Sequence, residues 1–115
     1  FDNVAGCIYN INMSILELPK PIVFEWDDGN KTKSFLKHNI LQAEAEQAFF
    51  KRHFLKKDEA HSGFEDRFHI MGATNNGKIL FISFTIRGNK IRIISARSAD
   101  KYERKFYEKE VKENP

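Results

Sequence analysis

The sequence predicts an α+β fold, an antiparallel three- to four-stranded sheet with helices packed on one face. Three observations carry this expectation. Runs rich in β-branched and aromatic residues recur at about Glu65 to Met71, Ile79 to Ile86 and Lys90 to Arg97. Asn75-Asn76-Gly77 and Gly88-Asn89 separate them, and connections this short join only antiparallel neighbours. Apolar residues at helical spacing lie on either side of the strand-rich block.

The elements follow in order. Pro19 and Pro21 delay regular structure until Ile22, and Ile22 to Trp26 reads as a short strand. Asp27 or Asp28 is placed to cap a helix from Asn30 to His38, and Asn39 tolerates the left-handed conformation that ends one. A second helix fits Gln42 to His53, with Leu41, Ala45, Ala48 and Phe49 on its apolar side. Lys51 to Ser62 is polar and highly charged and reads as a loop. After the three strands, Ser98 is the expected N-cap of a last helix running to about Glu113, with Tyr102, Phe106 and Val111 inward.

Turn length sets register, and opposed residues share a face. A Gly88-Asn89 loop puts Arg87 opposite Lys90, Thr85 opposite Arg92 and Phe84 opposite Ile93. A three-residue Asn75-Asn76-Gly77 loop puts Arg67 opposite Thr85, Phe68 opposite Phe84 and His69 opposite Ser83, which keeps the apolar side chains together. Arg67, Thr85 and Arg92 then form a row across three strands on the exposed face, with Glu65, Arg87 and Lys90 beside it. Continued without a break, the last strand lands Arg97 on the apolar face.

The chain has 115 residues and a mass of 13.5 kDa, which suits one domain. We expect residues 1–20 to be a poorly ordered N-terminal extension, with the natural start at Met13, and residues 21–113 to form the domain. Hydrophobic residues are 41% and charged residues 30%, which excludes a disordered polymer. The longest apolar run, Ile79 to Ile86, is far short of the ~18 residues of a membrane span. One cysteine, Cys7, excludes an intrachain disulfide framework, and a reducing, cytoplasmic setting is the simplest reading.

Charge is unevenly placed. Residues 1–30 hold one base and five acids, whereas residues 31–115 hold 18 bases and 11 acids. A sheet face with arginines, a histidine and hydroxyls suits phosphate, because guanidinium grips phosphate oxygens in a fork and stays charged. A merely solvated face fits equally well. The sequence has no phosphate-cradling Gly-x-x-x-x-Gly-Lys-Ser/Thr loop and no His-Glu-x-x-His. Its four histidines show no zinc spacing, and His53 and His61 read as solvated surface. No metal and no cofactor are expected. A nuclease without metal must recruit the RNA 2′-hydroxyl, with a base, an acid and cations around it.

Phe24-Glu25-Trp26-Asp27, Lys37-His38 eleven residues after Trp26, and Glu44-Ala45 resemble the opening of the BrnT family of bacterial toxins. Ile91 to Arg97, then Ala99, Glu103-Arg104 and Tyr107, resemble its closing signature, and Thr85-x-Arg87 matches between them. The resemblance spans about Val23 to Glu108. It implies a type II toxin similar in fold to the RelE/ParE toxins, acting as a ribonuclease that arrests translation. It implies an RNA substrate and neutralisation by a BrnA-like antitoxin, through which alone operator DNA is met, with no membrane partner. Asn39 replaces the family's glycine, Ser34 its asparagine, and Asn30 an early lysine, with Lys31 next door.

Register and resemblance together select Arg67 and Arg92 as phosphate and transition-state stabilisers. Lys37 and His38 match the motif, and His38 is either an acid or base or the cation that ends a helix. Glu44 is a base or a solvated helix residue. Arg87, Thr85, His69, Lys90 and Arg97 are the substrate-side candidates, Arg97 also being placed to anchor the last helix. Trp26 reads as core. The alternatives to a ribonuclease are a non-enzymatic nucleic-acid-binding module on the same face and an inhibitor-like domain that meets an acidic protein.

Overall fold

The computed structural model describes residues 17–113. Cys7, Met13 and most of the expected extension lie outside them. Of the four described residues in that extension, Leu18 packs against the core. The elements are α1 (Lys33–His38), α2 (Gln42–Gln47), β1 (His53–Lys57), a single 3-10 turn (Glu59–His61), β2 (Arg67–Ala73), β3 (Ile79–Arg87), β4 (Lys90–Ser98) and α3 (Lys101–Glu113). The strands form one antiparallel sheet in the order β1-β2-β3-β4.

Both hairpins take the expected registers. Arg67 opposes Thr85, Phe68 opposes Phe84 and His69 opposes Ser83. Thr85 opposes Arg92 and Arg87 opposes Lys90. Gly77 and Gly88 have φ of 86° and 62°, the left-handed values their turns require. Asn39 has φ 59° and ends α1 as expected, its N–H reaching the carbonyl of Phe35.

The first face of the sheet carries the main core. Leu55, Ile70, Leu80, Ile82, Phe84, Ile91, Ile93 and Ala96 meet Ala45, Ala48 and Phe49 from α2 and the turn after it. Phe49 touches Phe24 and Phe84 edge-on, both at 5.2 Å between ring centroids. Full burial of such a ring is worth roughly 1.5–3 kcal/mol. The backbones approach so closely here that a Cβ on Gly72 of β2 would lie 2.4 Å from the carbonyl oxygen of Ala48.

The second face is divided. At one end α3 lays Phe106, Tyr107 and Val111 over Phe54, Met71, Ile79 and Phe81. Helices thus cover both faces, not one, within the expected α+β class. The other end of this face is left to polar side chains.

Several local expectations are corrected. Ile22 to Trp26 does not form a full strand; it makes one parallel bridge, Phe24 to Ile91, along the outer edge of β4. The first helix starts at Lys33, because residues 27–31 form a turn in which the Asp27 carboxylate accepts from the Gly29 N–H. The second helix stops at Gln47, and Leu41 is exposed. The charged segment read as a loop holds β1, whose adjacent Phe54 and Leu55 are buried on opposite faces. Such a strand shows no alternation to read. Asp100, not Ser98, caps α3: its carboxylate accepts from Glu103 N while the Glu103 carboxylate accepts from Asp100 N, both at 2.8 Å. Tyr107 is the buried tyrosine, and Tyr102 is exposed.

β4 carries a bulge. Pairing jumps from Phe84–Ile93 to Ser83–Ser95, leaving Ile94 as the extra residue. Arg97 therefore opposes Phe81 on the second face, not Leu80 on the apolar one. Its guanidinium lies 4.4 Å from the centroid of the Phe81 ring.

Candidate active site on the sheet face

Strand alternation brings Arg67 and His69 of β2, Ser83 and Thr85 of β3, and Arg92, Ser95 and Arg97 of β4 to the second face. Lys56 of β1 joins them opposite His69. Arg67 and Arg92 stand two strand spacings apart, about 10 Å.

Most of these cations are already engaged. Arg92 grips Asp27 in a fork of 2.8 and 2.9 Å, with Glu25 at 3.5 Å. The segment lying along the β4 edge delivers both carboxylates. Arg92 holds the Asp27 carboxyl below its usual pKa, and Asp27 raises that of Arg92. Arg87 grips Glu65 at 2.5 and 3.0 Å and lowers its pKa in the same way. Arg97 forks onto Glu103 of α3 at 2.8 and 3.0 Å, which ties the helix to the sheet. Arg67 is half-buried and has no ion pair among the described residues. Lys90 is exposed at the hairpin.

Thr85 is not exposed as the alternation predicts. It is 2% exposed, and its hydroxyl donates to the Asp66 carbonyl at 2.8 Å. The chain entering β2 lies over it, so it braces the Arg67 end of the face. His69 is turned inward as well. Its Nε2 lies 3.1 Å from the Asp58 carboxylate, its Nδ1 is buried without a partner, and its ring packs on Phe81 at 4.7 Å. Burial pushes the His69 pKa down, against the pull of Asp58.

The remaining candidates are not brought to this row. Lys37 and His38 are exposed at the end of α1. That helix meets β4 where the Ala96 N–H donates to Ser34 Oγ at 2.7 Å. Across the bulge, Ala96 is about 10 Å along the strand from Arg92, three steps on the partner strand. Glu44 accepts from the Leu41 N–H at 3.0 Å and lies 3.5 Å from Lys78, beside the β2–β3 turn. It belongs to the helix on the first face and to the far end of the sheet. Trp26 packs on the core, and its indole N–H donates to Glu46 at 2.6 Å.

The substituted positions do structural work. Asn30 is buried and bonds three main-chain groups, and Ser34 caps the β4 edge. Sequence reading missed Asp27 and Glu25 as partners of Arg92, and Asp58 as the partner of two histidines. The acidic opening segment was the available signal for the first. Among the described residues, no group of three or more His, Cys, Asp or Glu is placed to hold a metal ion.

A family profile described as the ribonuclease toxin BrnT of a type II toxin-antitoxin system matches residues 26–103. The chain belongs to the BrnT family. No curated protein matches it in sequence. As a BrnT-family ribonuclease toxin it has an RNA target and an antitoxin partner. The matched span runs from Trp26 to Glu103 and contains every cation on the second face. No helix among the described residues is long and apolar enough to cross a membrane.

Proposed function

We propose that this BrnT-family chain is a metal-independent endoribonuclease that cuts RNA by attack of the substrate's own 2′-hydroxyl. It arrests translation in the cytoplasm and is neutralised by a BrnA-like antitoxin that supplies the operator-DNA contact. The observation that carries this reading is the unpaired Arg67 beside a row of arginines pre-set by carboxylates. A guanidinium without a partner is available to grip a phosphate. Arg92, about 10 Å away across the sheet, is held in place by Asp27 and Glu25, so its charge is offset and Arg67 is the arginine of this row left open to a phosphate. Charge develops on the non-bridging oxygens as the 2′-oxygen attacks, and fixed cations stabilise that state more than the ground state.

The test is incubation of antitoxin-free protein with structured RNA in EDTA, beside an Arg67→Ala variant. Cleavage that persists in EDTA and leaves 2′,3′-cyclic phosphate ends is expected, with the 2′-deoxy strand spared. The variant should cut at least about 100-fold more slowly, the scale of losing one oxyanion-stabilising group. Cleavage abolished by EDTA, or equal cutting of the 2′-deoxy strand, refutes the mechanism. RNA that is bound but left intact points to the binding-module alternative.

A further inference from the structure

Resting on the ribonuclease reading, we propose that His61 is the general base of this site and that Asp58 is its positioning residue. Neither Lys37, His38 nor Glu44 stands near Arg67, so the sheet face needs a proton acceptor from elsewhere. The chain supplies one in the connection between β1 and β2.

Asp58 follows β1 and is 7% exposed. Its backbone N–H donates to the Arg67 carbonyl at 2.8 Å. Ser62 Oγ donates to the Asp58 carbonyl at 2.8 Å and accepts from the Arg67 N–H at 3.0 Å. Two hydrogen bonds therefore bolt this connection to the residue that carries the unpaired guanidinium, and the third closes the connection on itself. The 3-10 turn between the bolts ends at His61.

The Asp58 carboxylate takes the Nδ1–H of His61 at 2.9 Å and the Nε2–H of His69 at 3.1 Å. An ionised carboxylate only accepts, so the bonded nitrogen of each ring carries the proton. For His69 both nitrogens are then sealed, one by Asp58 and one by burial, and the ring serves to hold Asp58 in place. His61 differs: its side chain is 68% exposed. With Nδ1 bonded to Asp58, Nε2 is the ring nitrogen left to take a proton. A buried carboxylate that fixes the tautomer and orientation of an exposed imidazole is the arrangement that makes histidine an effective base.

In the proposed step, His61 Nε2 takes the proton of the ribose 2′-hydroxyl. The 2′-oxygen forms its bond to phosphorus and the bond from phosphorus to the 5′-oxygen breaks. The departing 5′-oxygen takes a proton from water, leaving a 2′,3′-cyclic phosphate and a 5′-hydroxyl. The imidazolium returns its proton to solvent.

The test uses the full chain, free of antitoxin, with RNA in single-turnover and steady-state assays. His61→Ala should lower kcat by about 100- to 1,000-fold, within the range for losing a general base. KM should stay within about threefold. Added imidazole should restore part of the activity of His61→Ala and leave the wild type unchanged. His61→Asn keeps a donor toward Asp58 but lacks a base, so it should retain the wild-type melting temperature while matching the alanine variant in rate. Asp58→Asn should lower kcat by about tenfold at unchanged KM. A His61→Ala rate within threefold of wild type overturns the assignment while the ribonuclease reading stands. A loss that imidazole does not relieve, together with lowered melting of both His61 variants, assigns His61 to loop structure and also overturns it. A wild type that cuts no RNA refutes the ribonuclease reading, and this inference with it.

Discussion

Replacing Asn30 with alanine is expected to destabilise the protein by about 3 kcal/mol, because one amide satisfies three main-chain groups. Its Oδ1 accepts from the Asp27 N–H at 2.8 Å, and its Nδ2 donates to the carbonyls of Glu25 at 3.1 Å and Ile93 at 2.8 Å. The residue is 6% exposed, and the bond to Ile93 is buried. Leaving that carbonyl unpaired costs about 1–3 kcal/mol, and each half-buried bond, where water enters, adds about 0.5–1 kcal/mol. The three share one side chain, so the total is about 2–4 kcal/mol and not a strict sum. Urea unfolding at neutral pH measures it as a lowered midpoint with an unchanged slope. The melting temperature should fall by about 10 °C. Asn30→Asp keeps the acceptor but points a carboxylate at two carbonyls, so it should cost at least as much. An alanine loss under about 0.5 kcal/mol, or an aspartate variant more stable than the alanine one, would refute the reasoning.

Gly72→Ala should destabilise by about 2 kcal/mol or more, since the added methyl meets a backbone oxygen that cannot move aside; urea unfolding within 0.5 kcal/mol of wild type would contradict the close approach. Glu103→Ala removes the Arg97 fork and the reciprocal cap at Asp100 from a side chain nearly out of solvent. It should cost about 2–4 kcal/mol and free α3 first, seen as faster amide exchange in residues 101–113 than in β3. Burial holds the His53 and His69 pKa values below the ordinary one. The unfolded chain then binds more protons, so stability rises with pH from the folded values up to about 6.5 and levels off above about 7. Thermal melts across that range check the sign, and His69→Gln should flatten part of the slope; a stability that fell with rising pH would contradict it.

Much of the fold was legible because its signals are local. Two glycine-containing turns set the β2–β3 and β3–β4 registers, and alternation then placed Arg67 opposite Thr85 and Thr85 opposite Arg92 before any contact was known. Asn39 marked the end of α1 by the one conformation it tolerates better than most residues. The motifs at both ends of the domain carried the family, because they are patterns of residue types and need no geometry. β1 was illegible for the opposite reason: Phe54 and Leu55 are adjacent and both buried, and only a sheet covered on both faces asks for that.

The sequence by itself determined the class, the registers beside the turns, the family and the surplus of cations on one face. The tertiary structure alone decided which of those cations are available. One extra residue at Ile94 moved Arg97 to the other face, where Glu103 and the Phe81 ring take it. The acidic opening segment folded back over sixty residues of chain to claim Arg92. Asp58 gathered His61 and His69 from a turn and a strand to which no spacing rule ties it. Charge and hydrogen bonding act through space, and a linear reading measures only separation along the chain. The registers therefore placed the cations on one face, and the fold engaged Arg92 and Arg97 with carboxylates while leaving Arg67 without an ion pair among the described residues.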